Sequence, residues 1–574
     1  MTRTRPPNRL QSNLASISLI ALSSVFIPIT LPLTFIAYVY TALAGTALNS
    51  PKPIDGSRKT ILVTGARTNK ALSLARAFKK ANHRVILAEE KYWGALACAR
   101  FSRAADAYYN LPEPDESDSQ AYIDAIKVLI MAEDVDAWVP CSSVHGTMAD
   151  AEAARQIHEL GLGGDHDGCC DTFIQHPDIA GTLHWKDKLG ALLQELDFPT
   201  PRSKRVTSVA QAADFLYSPD ALTGGHKYIL KCLTLDDLAR DDLTLLPLDS
   251  REDTVAHLKG MPTPISQETP FLLQRFLQGN EYCTHVAVRK GEITAFVACR
   301  SRELLMRYVD ITTLADPDEK DCAKEIEDWV RDFLSKWKAK LQTDDGTESW
   351  ETELTGHFSF DFIKDKTDGI LYPLECNVRA HTAVALFSET STLADSYVLV
   401  PGRDGQPPLS RPRPGSTPRS WIAHVFPIAL IQSFLGLPLI RLIPHGFWAF
   451  IHPGLLLLIP PRASRHPASS QYSTTDPTHS PFPYDNPFTV LIKFILGTFL
   501  PDFFLTSINA KHSLGNPVSP VPWVIEQDPY WEWNDPLPWF VLVHITWVWM
   551  FVRLAWNGRK WRRVNVSTER VFEC

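Results

Sequence analysis

The sequence predicts an α/β part within a soluble central region that is flanked by membrane segments. Strand and helix patterns alternate between residues 59 and 180, and such alternation predicts a parallel sheet. The composition remains that of a soluble domain as far as about residue 400. Long runs without charged residues stand before and after this central region. A transmembrane helix needs ~20 apolar residues, so these runs are long enough to enter a bilayer.

Composition excludes several classes of protein. Of 574 residues, 45% are hydrophobic and 21% are charged, so the chain is neither disordered nor a polytopic membrane protein. Lys and Arg number 57 against 65 Asp and Glu, a net charge of −8. A nucleic-acid-binding protein would carry a basic excess, so no nucleic-acid partner is expected. The ten cysteines form no C-x-x-C pair, which argues against a zinc site and favours a reduced, cytosol-facing chain.

The first membrane segment occupies residues 1–58. The run Leu10–Pro51 contains no Asp, Glu, Lys, Arg or His, and its length allows either one span or an in-and-out hairpin. Pro28 and Pro32 in its middle favour the hairpin, because proline breaks or kinks a helix. A cleavable signal peptide is the alternative, since small residues such as Ala47 lie near the end of the run.

The α/β part spans residues 59–180. The pattern predicts a strand over Lys59–Thr64, a helix over Asn69–Ala81, a second strand over Arg84–Ala88 and a further strand over Ala137–Pro140. Gly65 is the one glycine left of a G-x-G-x-x-G pattern, so no dinucleotide is expected there. The sheet either contributes to a substrate pocket or is purely structural.

The composition changes again after Val400. Residues 401–420 are rich in proline and predict a linker. Residues 421–574 form a C-terminal membrane-associated region, in which some segments span the bilayer or lie in its interface. Its apolar stretches are Trp421–Ile440, Gly446–Pro461, Phe488–Ser507 and Leu537–Val552.

The strongest functional signal is a series of five fragments, in a fixed order, between residues 185 and 385. They comprise the start of an amphipathic helix, a strand that presents a lysine, a strand with a Gly turn and a carboxylate, and two strands joined by a turn. In sequence order the fragments are Trp185–Lys188, Lys227–Lys231, Phe271–Glu281, Phe358–Asp361 and Leu374–Arg379.

This order and spacing resembles the ATP-grasp superfamily over roughly residues 60–400. The similarity is greatest to carboxylate–amine ligases and to carbamoyl-phosphate-synthase-like ATP-binding domains. The resemblance implies a Rossmann-like pre-ATP-grasp domain over residues 59–180 and an ATP-grasp domain over residues 181–400, which clamps ATP between two α+β subdomains.

The resemblance also implies a set of nucleotide-binding residues. Two lysines contact the phosphates, a hinge segment reads adenine, a carboxylate binds the ribose and one arginine adds a further cation. These residues are Lys188 and Lys231, then Gln274, Phe276 and Leu277, then Glu281, and finally Arg300. The segment 232–242 lacks the family's glycines, so Arg240 is a candidate to replace backbone amides at the phosphates.

Two Mg²⁺ ions, or Mn²⁺ in their place, are expected at the phosphates. Asp361, Glu375 and Asn377 match the metal ligands of the family, and hard oxygen ligands suit these ions. The spacing between Asp361 and Glu375 fits two strands and a turn, and alternation along the strand puts Asn377 on the same side as Glu375. Arg379 follows on that side, where a cation stabilises the transferring phosphoryl group. The resemblance makes Arg379 and Lys231 the catalytic residues.

The function expected from the resemblance is ADP-forming ligation of a carboxylate to an amine through an acyl-phosphate. His381 and Thr382 are candidate contacts for the substrate carboxylate. The expected partners are a small-molecule carboxylate, an amine and a membrane, with the catalytic domain facing the cytosol and the endoplasmic reticulum as the candidate membrane. A carboxylase or carbamoyl-phosphate-type enzyme and a non-catalytic nucleotide-binding membrane protein are the alternatives.

Overall fold

A computed structural model of the chain describes most of the central region, the apolar part of the N-terminal segment and the last part of the C-terminal region. The apolar stretches predicted between residues 422 and 526 lie outside the described residues, and so does Arg240. The described residues are 8–44, 58–114, 118–141, 146–164, 169–222, 225–233, 242, 244–301, 307–314, 316–341, 349–399, 409–416, 418–421, 527–565 and 570–573.

The N-terminal segment is one continuous helix, α1 (Arg9–Ala44), with Pro28 and Pro32 inside it. The predicted in-and-out hairpin is therefore wrong. Hydroxyl groups on α1 donate to carbonyls one turn back, including Ser24 Oγ to Ile20 O at 2.9 Å.

The predicted α/β part folds into a parallel sheet with strand order β3-β2-β1-β4-β5. This is a Rossmann-like order, and the predicted strands are confirmed. Thr68 starts the first helix of the sheet by accepting a hydrogen bond from Ala71 N at its side chain. The strands are β1 (Thr60–Thr64), β2 (Arg84–Glu90), β3 (Ala107–Leu111), β4 (Ala137–Pro140) and β5 (Asp171–Thr172), and the helices are α2 (Asn69–Lys80), α3 (Lys91–Gly94), α4 (Gln120–Glu133) and α5 (Thr147–Glu159), with a 3₁₀ turn at Cys98–Phe101.

The next part of the chain builds a small antiparallel sheet in the described residues, with order β6-β8-β7. Its apolar side chains pack under two helices, and Phe271 and Tyr228 are fully buried there. The elements are α6 (Pro177–His184), α7 (Lys186–Glu195), β6 (Ser203–Val206), α8 (Val209–Leu216), α9 (Pro219–Leu222), β7 (Tyr228–Cys232), α10 (Arg251–Lys259) and β8 (Phe271–Arg275).

A larger antiparallel sheet follows, with order β10-β9-β13-β14 and β12 paired to β9. One face of this sheet packs against a long helix through aromatic residues such as Phe333, Phe360 and Phe362. The opposite face carries the polar residues described below. The elements are β9 (Gly279–Arg289), β10 (Glu292–Arg300), β11 (Arg307–Tyr308), α11 (Pro317–Leu341), β12 (Gly356–His357), β13 (Ser359–Asp365), β14 (Leu371–Asn377), α12 (Asp395–Val398) and β15 (Arg419–Ser420), with 3₁₀ turns at Ile311–Thr313 and Thr382–Phe387.

The described part of the predicted linker packs on this sheet. Ser410 is buried and its backbone exchanges hydrogen bonds with β10, since Ser410 N donates to Thr294 O at 2.8 Å and Phe296 N donates to Ser410 O at 3.0 Å. Arg419 is also buried and donates to Gln527.

The C-terminal region contains a second apolar helix, α13 (Leu537–Trp556), with a π-helical turn at Leu542–Thr546. It is followed by the hairpin β16 (Trp561–Asn565) and β17 (Arg570–Glu573). Among the described residues, α1 and α13 are the helices that are long and apolar enough to cross a membrane.

Candidate active site

Two carboxylates and an amide share one face of the larger antiparallel sheet. Asp361 on β13 stands directly opposite Glu375 on β14, and directly opposed residues in a ladder point to the same face. Asn377 lies two residues further along β14 and so points to that face too. Its Nδ2 donates to Asp361 Oδ2 at 3.3 Å. The hairpin therefore gathers the three residues predicted to be metal ligands.

A third carboxylate, Glu281 on β9, lies close to Asp361. Cys283 pairs with Asp361 and Glu281 pairs with Ile363, so alternation places Glu281 on the same face. Burial, and then the negative charge of Glu281, raise the pKa of Asp361 to about 7 against the opposing effects of Lys186 and Arg379. Asp361 therefore carries its charge in an environment with too little compensating positive charge.

Lys231 approaches this face from the smaller sheet. Its Nζ donates to Gln274 Oε1 at 2.6 Å, and the two residues lie on the paired strands β7 and β8. Burial lowers the pKa of Lys231, and the nearby Glu281 and Asp361 act in the opposite direction. The two sheets thus bring a half-buried lysine close to the carboxylates.

The hinge segment joins the two sheets directly. Phe276 N donates to Lys227 O at 2.8 Å, and Leu277 is buried whereas Phe276 is 37% exposed. Arg275 forms an ion pair with Asp365 at the end of β13, with 2.7 Å between Nη2 and Oδ2. These contacts fix the backbone of the hinge beside the carboxylate face.

Of the two lysines at the start of α7, it is Lys186 that reaches the carboxylates. Lys186 Nζ forms an ion pair with Glu375 Oε2. Lys188, the predicted phosphate contact, is exposed, and its position two residues along the helix turns it about 200° away from Lys186. Sequence reasoning missed Lys186 because the fragment Trp185–Lys188 does not show which lysine faces the sheet.

Arg300 lies apart from the other predicted residues. It pairs with Tyr282 across β9 and β10, and Tyr282 points to the face opposite Glu281. On that face Arg300 Nε donates to Glu319 Oε1 of α11 at 2.9 Å. The structure therefore places Arg300 under α11 and not at the carboxylates, which corrects the expectation that it contacts the nucleotide.

Arg379 lies between the carboxylates and the parallel sheet. It acts on the charge of Asp361 and also on that of Lys70, a buried lysine in the first turn of α2. Burial, and then Arg379, lower the pKa of Lys70 to about 7. The parallel sheet thus brings a lysine close to Arg379. Sequence reasoning missed Lys70, because its one signal was its position just after the Gly65 turn.

His381 and Thr382 begin the 3₁₀ turn that follows Arg379. His381 Nδ1 accepts from Ala383 N at 3.2 Å, and His381 N donates to His285 Nδ1 at 3.2 Å. Burial lowers the pKa of His381 to about 3, so the imidazole is neutral at physiological pH. Thr382 is buried. Neither residue therefore presents a positive charge to a carboxylate.

The residues present fit a divalent cation that a nucleotide helps to hold. The described residues contain no group of three or more His, Cys, Asp or Glu side chains arranged around a metal site. Asp361 Oδ1 is nevertheless buried and has no hydrogen-bond partner among the described residues. Mg²⁺ typically takes one or two protein carboxylates together with substrate phosphates, and Asp361 and Glu375 offer such a pair.

The chain matches no protein-family model and no curated protein by sequence. Three solved structures illustrate what it is similar to in three dimensions. An N5-carboxyaminoimidazole ribonucleotide synthetase in complex with ADP is 11% identical, with a TM-score of 0.43 over 65% of this chain and 82% of the other. Biotin carboxylase from Campylobacter jejuni is 14% identical, with a TM-score of 0.40 over 61% and 73%. An L-amino acid ligase from Bacillus licheniformis is 13% identical, with a TM-score of 0.37 over 58% and 69%.

Proposed function

We propose that the chain is an ATP-grasp enzyme, an ADP-forming ligase that joins a carboxylate to an amine. The observation that carries the proposal is the opposition of Asp361 and Glu375 on one sheet, faced by Lys231 from the other. Two carboxylates beside a half-buried lysine suit a magnesium-bound polyphosphate, because the lysine and the metal together neutralise its charge.

The cleft between the sheets is the proposed nucleotide site. Lys231 contacts the phosphates, and its bond to Gln274 orients it toward them. The backbone of Phe276 and Leu277 borders the adenine, and Glu281 accepts hydrogen bonds from the ribose. Lys186, which forms an ion pair with Glu375, is the lysine of α7 placed to contact the phosphates, because Lys188 points away from the carboxylates. These roles rest on the match to the sequence pattern and on the proximity of Lys231, Glu281 and Asp361.

The proposed metal site consists of Asp361, Glu375 and Asn377. Mg²⁺ or Mn²⁺ bound there, in two copies, would neutralise negative charge on the transferring phosphoryl group. The chain contributes the ligand oxygens and their orientation. Asn377 orients Asp361 through the hydrogen bond from its Nδ2, and the ammonium group of Lys186 lies against the carboxylate of Glu375.

The proposed reaction has two steps. A substrate carboxylate oxygen attacks the γ-phosphorus of ATP, the bond to ADP breaks, and an acyl-phosphate forms. The amine then attacks the acyl carbon, phosphate leaves, and a proton is lost from nitrogen. Arg379 stabilises negative charge on the transferring phosphoryl group and on the acyl-phosphate. Lys70 places the substrate carboxylate near the parallel sheet, because a buried cation attracts a carboxylate strongly.

The proposed location is a membrane, with the endoplasmic reticulum as the candidate and the catalytic region on the cytosolic side, where ATP is abundant. The support is the pair of apolar helices, α1 and α13. Protease treatment of sealed microsomes tests this placement. The catalytic region should be cleaved without detergent, while a lumenal marker stays intact; a catalytic region protected until detergent is added would contradict it.

Product analysis tests the proposed activity. The purified protein is incubated with ATP, magnesium, and pools of carboxylates and amines, and nucleotide products are separated. ADP and phosphate that appear only when both pools are present support the proposal. AMP and pyrophosphate would overturn the acyl-phosphate mechanism, and ADP formation that needs bicarbonate but no added carboxylate would favour the carboxylase alternative.

A further inference from the structure

The N-terminal helix α1 exposes its large apolar residues and buries its small and polar ones, which is the opposite of a helix in a water-soluble protein. A helix of a soluble protein buries its large apolar residues and exposes its polar ones. The buried side of α1 instead carries small and hydroxyl-bearing residues, namely Ser12, Ala15, Ser16, Thr30, Thr34, Ala37 and Thr41. Its exposed side carries large apolar residues, including Leu10, Ile17, Val25, Leu31, Phe35, Ile36 and Leu43.

The buried side of α1 packs along α13 and the start of β16 through side-chain hydrogen bonds. His544, in the π-helical turn of α13, is bonded through both ring nitrogens: Nδ1 lies 2.9 Å from Ser23 Oγ and Nε2 lies 2.8 Å from Thr30 Oγ1. Near the N-terminus of α1, Trp561 Nε1 donates to Ser16 Oγ at 3.0 Å and Trp561 N donates to Ser12 Oγ at 3.2 Å. We call this set of contacts the hydroxyl seam.

This arrangement is typical of helices that meet inside lipid. Small residues let the two backbones approach closely, and hydroxyl and imidazole groups bond across the contact because lipid offers them no partner. The exposed apolar side chains would face acyl chains at no cost, whereas in water they would form a large apolar patch. At ~1.5 Å per residue, the 36 residues of α1 are long enough to extend through the ~30 Å apolar layer of a bilayer.

The charge at the end of the helix pair also fits a membrane. Arg9 lies against Gly558, so the start of α1 and the end of α13 meet. Arg9, Arg559 and Lys560 are all exposed at this end. Basic residues at the end of an apolar helix interact favourably with anionic headgroups. The occupant of the exposed apolar surface is thus a phospholipid bilayer.

We propose that α1 is retained in the mature protein and forms a permanent two-helix unit with α13 in a lipid bilayer, joined by the hydroxyl seam. This inference deepens the membrane location proposed above. It excludes a cleaved signal peptide, because removal of α1 would leave the buried imidazole of His544 without its Ser23 and Thr30 partners. It does not depend on the proposed ligase activity.

Cysteine cross-linking of the full-length protein in native microsomes tests the seam. The variant S23C/H544C joins two positions whose side chains are in contact, and S24C/H544C is its matched control, because Ser24 is exposed on the other side of α1. A protease site inserted within residues 462–487 then separates the two halves of the chain. Under oxidising, non-reducing conditions the halves of S23C/H544C should stay linked, and those of the control should separate.

Two further readouts need no cysteine substitution. A tag at the N-terminus should persist in the mature chain, and the protein should stay in the membrane pellet after extraction at alkaline pH. Loss of the tag, release into the supernatant, or equal linkage of the two cysteine pairs would each overturn the inference. Because none of these readouts uses ATP turnover, their failure would leave the proposed ligase activity standing.

Discussion

Asp361 and Glu375 face each other across β13 and β14, yet their charges are balanced differently. Glu375 is ion-paired with Lys186, whereas Asp361 is half-buried next to Glu281, and its buried Oδ1 has no hydrogen-bond partner among the described residues. A bound divalent cation would compensate both carboxylates at once. Because Lys186 is paired with Glu375 and Glu281 acts on Asp361, substitutions around the two carboxylates can be tested separately.

Glu375→Gln should lower turnover far more than it weakens nucleotide binding. The substitution keeps the size of the side chain but removes a negative charge from the metal site, and loss of such a contribution typically costs roughly 10²–10³-fold in kcat. Glu281→Gln is the matched comparison, because a ribose contact acts in both the ground state and the transition state. It should mainly raise the KM for ATP. Steady-state kinetics on the two variants, with circular dichroism to confirm folding, distinguish the roles. Near-normal kcat in Glu375→Gln at saturating magnesium would refute the metal assignment.

Lys186→Ala should tighten binding of a divalent cation in the absence of nucleotide. Lys186 competes with the metal for Glu375, and because this ion pair is partly exposed its removal is worth about 0.2–1 kcal/mol, or up to several-fold in affinity. Lys188→Ala is the control: it should leave metal affinity unchanged, because Lys188 is exposed and points away from the carboxylates. Titration with Mn²⁺ followed by electron paramagnetic resonance measures both affinities. Equal metal affinity in Lys186→Ala and the parent protein would contradict the competition.

Asp361→Asn should stabilise the metal-free protein while it removes activity. Because burial and Glu281 raise the pKa of Asp361 to about 7, its ionised form destabilises the fold at pH 8. The neutral amide removes that cost, and a gain of one kcal/mol corresponds to about 2–4 °C in Tm for a domain of ~200 residues. The gain should shrink as the pH falls through 7 toward 4, since protonation of Asp361 removes the same charge in the parent protein. Thermal unfolding in chelator at several pH values measures it, and a lower Tm for the variant at pH 8 would contradict the account.

Arg76→Met should detach the C-terminal region from the parallel sheet. Arg76 on α2 bonds Asp535 Oδ2 at 2.9 Å and also the carbonyls of Tyr530 and Asp535 at 2.9 and 3.0 Å. Both side chains are buried, and removal of one partner of a buried ion pair typically costs about 3–5 kcal/mol. Lys79→Met, which breaks the more exposed pair with Asp106, should cost about 0–1 kcal/mol. Unfolding in detergent and protease sensitivity near residue 535 compare the two, and equal stability of the variants would contradict the role of Arg76.

Local patterns in the sequence predicted the strands and the hairpin of the site. The strand Ala137–Pro140 matches β4, and alternation correctly placed Asp361, Glu375 and Asn377 on one face, because side-chain alternation is a local property of the backbone. The identity of the lysine near Glu375 depended instead on the rotation of α7 against β14. Sequence spacing carries no information about that contact.

The position of Arg300 shows a second limit of the sequence pattern. The ladder between β9 and β10 shifts register between Ile293 and Ala295. If the pairing of Ile293 with Val288 had continued unbroken, Arg300 would stand opposite Glu281 and point to the carboxylate face. The irregularity moves it opposite Tyr282, since a shift of one residue exchanges the two faces of a strand. The sequence pattern also did not predict that α1 continues through Pro28 and Pro32, because that continuity depends on packing against α13.

The fate of oxygen from the acid substrate tests the central proposal most directly. A pool of carboxylic acids labelled with ¹⁸O in both carboxyl oxygens is incubated with the protein, ATP, magnesium and a pool of amines, and the released phosphate is analysed by mass spectrometry. If a carboxylate oxygen attacks the γ-phosphorus and an amine then displaces phosphate, each phosphate should carry one ¹⁸O. ADP formation with unlabelled phosphate would contradict an acyl-phosphate intermediate, and with it the ligase assignment.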